Sequence, residues 1–110
     1  MAGITPGAAL ASLARLRRAL ESHPAAGARS RLGTSSTIEF VDQWAARIQR
    51  GEMHPEALPF LYHGQARRHH REAGIVSALE TEERTLRRAA GQTGGYGARW
   101  YFGRHVLDDD

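Results

Sequence analysis

The chain has 110 residues, 41% hydrophobic and 25% charged, the size of one domain with a modest core of its own. It contains no cysteine, which excludes disulfides, cysteine-ligated zinc and thiol nucleophiles. No apolar run approaches the roughly 18 residues of a membrane span and no signal-peptide core opens the chain, so a cytoplasmic protein with no membrane partner is expected.

The net charge is +3 and the pI about 10.2, a lean towards polyanionic partners. All fifteen basic residues are arginine. The guanidinium fork suits phosphate and carboxylate, although the abundance of Ala, Gly and Arg is explained more plainly by GC-rich codons. The excess is uneven. Residues 1–36 hold Arg15, Arg17, Arg18, Arg29 and Arg31 against Glu21 alone, while the middle of the chain balances to zero.

Three regions follow from the pattern. Residues 1–35 comprise an N-terminal amphipathic helix and a linker. Thr5-Pro6 reads as an N-cap followed by proline at the first helical position, and Leu10, Leu13, Leu16 and Leu20 share a face up to about His23. Residues 24–35, PAAGARSRLGTS, read as a flexible, arginine-dotted linker that leaves the first helix a semi-detached arm.

Residues 36–91 form the helical core. Ser36-x-x-Glu39 is a capping box opening a helix with Phe40, Val41, Trp44, Ala45 and Ile48 on one side, stopped by Gly51. A third helix runs from Leu58-Pro59 to about Ala73, with Gly74 as its C-cap. A fourth runs from about Val76 to Ala90 and is closed by Gly91. Its early glutamates and late arginines complement the helix dipole, and Glu83→Arg87 is a favourable i,i+4 pair.

Residues 92–110 are a Gly-rich turn, an aromatic strand over 98–107 and the acidic tail Asp108–Asp110. The strand has no second strand in the chain to pair with, which leaves a tiny hairpin around Gly103, docking as extended chain on the helices, or pairing with the same strand of a second subunit; a homo-oligomer joined through 98–107 is the expectation. The fold class is therefore mainly α: a small bundle of about four helices with a C-terminal extended or β segment.

The third helix carries QARRHHREAGI (65–75). Read as continuous helix, Arg67, Arg68 and Arg71 fall within about 100° of arc, opposite Tyr62 and Ala66. A solvated face explains such a stripe by itself; the functional reading is a surface that tracks successive phosphates. Metal binding fits poorly. His63 and His70 share a side but lie seven residues apart, and His69 and His70 point about 100° apart, whereas ligands on one helix need i,i+3 or i,i+4 spacing. No metal and no cofactor are expected.

Residues 72–77 faintly suggest the turn of a helix-turn-helix, but Glu80, Glu82 and Glu83 near the start of the following helix have the wrong sign for a DNA groove. Glu82 also breaks the apolar arc of Leu79 and Leu86. It needs a partner if buried, and Arg17 is one candidate; the plainer expectation is a half-covered helix with Glu82 at its rim.

At the C-terminus, Trp100 and Phe102 are expected to complete the core. Arg99, Tyr101 and Arg104 suit stacking and phosphate contact or a protein hot spot. No nucleophile elbow, phosphate-binding glycine loop or paired-acid motif is present, so no enzyme is expected.

The leading expectation is a non-catalytic accessory protein that binds the backbone of DNA or RNA. Its contacts would come from Arg67, Arg68 and Arg71, from Arg15, Arg18, Arg29 and Arg31, and from Arg99, Tyr101 and Arg104. The competing class is a small adaptor or inhibitor, of phage or plasmid type, whose arginines meet an acidic protein partner.

Overall fold

A computed structural model of the chain describes residues 3–28, 35–69 and 71–91. Within them the protein is all α: α1 (Pro6–Leu20), α2 (Pro24–Gly27), α3 (Thr37–Gln49), a 3₁₀ turn (Pro55–Ala57), α4 (Leu58–Arg68) and α5 (Ala73–Ala89). The strand over 98–107, the dimerisation built on it and the core roles of Trp100 and Phe102 lie outside the described residues. No described helix is long and apolar enough to cross a membrane.

Helix α1 starts where its cap requires, with the Ala8 N–H donating to Thr5 Oγ1 at 3.0 Å. It is not an arm. Leu13, Leu16 and Leu20 are fully buried, and the helix packs against both α3 and α5, which makes it the central element. The linker expectation also fails at its start. Pro24–Gly27 form a short helix with Ala26 buried, resting on α3. Proline at the first helical position and two alanines were a helix start there; the composition of the whole stretch concealed it.

The capping box of α3 forms in both directions: the Glu39 N–H donates to Ser36 Oγ at 3.2 Å and the Ser36 N–H to Glu39 Oε1 at 3.0 Å. Val41, Trp44 and Ile48 are buried. Gly51 and Gly91 adopt φ of 71° and 73°, the left-handed conformation expected where α3 and α5 stop.

The third predicted helix is shorter than expected. Helix α4 ends at Arg68, and His69 caps it by donating its N–H to the carbonyls of Gln65 and Ala66. The chain then turns, and α5 begins at Ala73. Arg71 therefore leaves the helix, and the three-arginine stripe does not form as one helical face. Gly74, expected as a C-cap, lies in the first turn of α5 without positive φ. A Cβ there would run into the imidazole of His23, which would have to move aside. An early start for α5 buries Ile75 and gives α4 and α5 an extensive mutual interface, as a short connection between neighbouring helices does.

Candidate functional site

The described arginines divide by what surrounds them. Arg15, on α1, grips Glu82 of α5 with two groups: Nε donates at 3.1 Å to Oε2, and Nη2 at 3.0 Å to Oε1. Ser12 donates to the same Oε1 at 2.9 Å, and its oxygen lies 3.0 Å from the Tyr62 hydroxyl of α4. Glu82 is 8% exposed, so it is neither at a rim nor paired with Arg17. Its carboxylate is the acceptor at the centre of a network joining three helices. The hydrogen bond to Glu82 raises the Arg15 guanidinium further above its ordinary value; burial raises the Tyr62 phenol. Arg17 instead bridges α1 to α3 through Asp42, at 2.8 Å, and also bonds Glu21.

A second internal pair joins Glu83 to Arg87 one turn on, as the spacing predicts, with His63 Nδ1 of α4 3.7 Å from the same carboxylate. Burial pushes the Glu83 carboxyl up, against the pull of Arg87 and His63. Two of the three glutamates that weighed against α5 as a reading helix thus face inward. Ser77, Glu80, Thr81, Arg84, Thr85 and Arg88 form its exposed side.

The end of α4 is different. Arg67, Arg68 and Arg71 are all exposed. Arg68 and Arg71 make no ion pair among the described residues, and neither does exposed Arg18 on α1. Between Arg67 and Arg71 the His69 ring turns inward, its Nε2 2.6 Å from Thr37 Oγ1 at the start of α3. Burial, and then the nearby Arg68 charge, lower the His69 pKa, with Glu72 opposing. Arg29, Arg31, Arg99, Tyr101 and Arg104 lie outside the described residues, as does His70. Among the described residues no three His, Cys, Asp or Glu side chains gather as a metal site.

Arg68 also borders an open groove of about 310 Å³ between α3 and α4. Phe40 and Trp44 form the α3 wall, their rings stacked with centroids 5.8 Å apart. Phe60, Leu61, Gly64 and Gln65 line the α4 side. Phe60, at 37% exposure, is the most exposed large hydrophobic side chain among the described residues.

Sequence reasoning placed Phe40 and Trp44 together in a core stripe and passed over Phe60. The signal was available: Phe60 precedes Leu61 and Tyr62 in an amphipathic helix, and three adjacent large apolar residues cannot all share one buried face. No protein family, curated protein or solved structure matches this chain.

Proposed function

We propose that this chain is a non-catalytic adaptor or inhibitor that binds another protein through the α3–α4 groove. The observation that carries the reading is an aromatic depression with a cation at its border, Phe40, Trp44 and Phe60 beside Arg68. Aromatic residues and arginine are the side chains that dominate protein hot spots; here exposed Phe60 and half-buried Phe40 offer the contact area, and buried Trp44 backs Phe40. Arg15, one of the cations assigned to phosphate contact, is already engaged by Glu82, and Arg71 has left the helical register, so fewer guanidinium groups are arrayed for a phosphate backbone.

Binding to the backbone of DNA or RNA is the second reading. It is favoured by exposed Arg68 and Arg71 at the α4–α5 turn and by Arg84 and Arg88 on the outer side of α5. The two readings separate in one pair of measurements on the full chain. Peptides selected from a random displayed library should bind the wild type and lose at least ten-fold in affinity on Phe60→Asp. Tight binding to DNA or RNA at low salt that weakens steeply as salt rises, without any peptide dependent on Phe60, would replace the first reading with the second.

A further inference from the structure

Gly64 lies inside α4, with ordinary helical neighbours on both sides. A glycine within a helix is destabilising relative to alanine because it loses more backbone freedom on folding. Two structural reasons can justify one, and neither applies. Its φ is not positive, and among the described residues a Cβ at this position would meet nothing within 4 Å. What Gly64 does have is a position on the groove, one helical turn from Phe60 on one side and one turn from Arg68 on the other. Bare backbone there lets a second chain approach α4 between a ring and a guanidinium.

The charge on its α4 side selects the partner. From Ala57 to Arg71 the sequence has three arginines and no acidic residue. A second copy docking the same surface would bring like charges together, whereas a carboxylate-bearing partner would be drawn to Arg68. The spacing selects its conformation. Phe60, Gly64 and Arg68 recur every four residues, a ridge row of α4 against which the i±4 row of another helix packs, and the depression between α3 and α4 is the setting of a helix laid in a groove.

We infer that the groove seats an amphipathic α-helix of an acidic partner protein. A small side chain of that helix faces Gly64, an apolar one packs against Phe40, Trp44 and Phe60, and a carboxylate meets Arg68. The inference rests on the protein-binding reading and specifies what that reading leaves open.

The test uses the full-length chain as bait for a displayed helical scaffold with one randomised face, alongside the random linear library. Helical binders should be enriched, carrying an acidic residue and a small residue one turn apart. Arg68→Glu should weaken the best binder at least ten-fold and be rescued when the peptide acid is changed to arginine. Gly64→Leu should abolish binding while the circular dichroism spectrum holds and the melting temperature holds or rises.

Enriched sequences without an acid, binders indifferent to Gly64→Leu, or only non-helical binders would overturn the inference. Phe60 dependence would still leave the protein-binding reading standing, and its absence in both libraries would remove both. Self-association in sedimentation that Gly64→Leu abolishes would assign the groove to a second copy, and displacement of the peptide by an oligothymidylate would assign it to nucleic acid. Either result overturns the helix.

Discussion

Arg15 and Arg68 are the same residue type on two amphipathic helices, and the fold treats them in opposite ways. Arg15 is enclosed on its inner side by Glu82, Ser12 and Tyr62, in a network whose acceptor is almost fully buried. Arg68 is exposed beside an aromatic groove and has no carboxylate partner among the described residues. The first arrangement resists change because a buried carboxylate needs donors. The second costs the fold little and leaves a charge available to an outside partner. An arginine therefore indicates function here through what the tertiary structure leaves unneutralised, not through its place in a basic stretch.

Breaking the network gives the largest effect. Glu82→Ala should lower stability by about 2–4 kcal/mol, because the Ser12 and Tyr62 hydroxyls lose their charged acceptor system while a cavity opens between α1 and α5. Arg15→Ala should cost less, about 1–2 kcal/mol, since the guanidinium is partly exposed and its attraction is screened by water. Arg68→Ala should stay within about 0.5 kcal/mol of wild type. Urea unfolding of the three variants measures the ranking. A loss on Arg68→Ala equal to that on Arg15→Ala would erase the distinction between the two regions.

That contrast marks the limit of what a helical wheel can say. The starts of α1 and α3 and the stops at Gly51 and Gly91 were legible because caps and left-handed glycines act over three or four residues. So was the Glu83–Arg87 pair, a contact within one helix. Glu82 was recognisable as an anomaly in an apolar arc, but its partner was not. Arg15 and Ser12 are 67 and 70 residues away, and their side chains meet it only because α1 lies at the centre of the fold. Gly74 illustrates the same limit from the other side: its conformation is ordinary, and only the His23 ring, approaching from a distant segment, packs where a Cβ would stand. The break at Arg68–Glu72 carries no local stop signal, and it displaces Arg71 from the face on which periodicity put it.

Gly64 sharpens the comparison at intermediate size. Around Arg15 the buried Ser12, Tyr62 and Glu82 side chains are matched by internal partners; at the groove, a destabilising residue is retained with no internal reason among the described residues. Gly64→Ala should therefore stabilise the fold by about 0.5–1 kcal/mol through helix propensity alone, read as a rise in the urea midpoint at unchanged slope. A destabilised variant would mean that the added methyl meets a neighbour after all, and the case for Gly64 as an outward-facing accommodation would be lost.

The smallest expected effect concerns His69, which joins the two kinds of environment: its ring is held inside by Thr37 while its neighbour Arg68 stands outside. In the unfolded chain His69 takes up a proton near its ordinary pKa of 6.5; in the folded protein, burial and the Arg68 charge move that event to lower pH. Between the two values the unfolded state binds more protons, so the neutral ring's contribution to stability is complete above pH 6.5 and is lost as pH falls through the folded value. His69→Gln removes this titration. The stability difference between wild type and His69→Gln, followed by urea unfolding from pH 7.5 downwards, should thus shift against the wild type on acidification, whatever the other histidines contribute to both. A difference that stays flat would mean that Thr37 holds the protonated ring as well as the neutral one. The end of α4 would then tolerate a further positive charge beside Arg68, and acidification would strengthen the cationic border of the groove without loosening the turn that carries it.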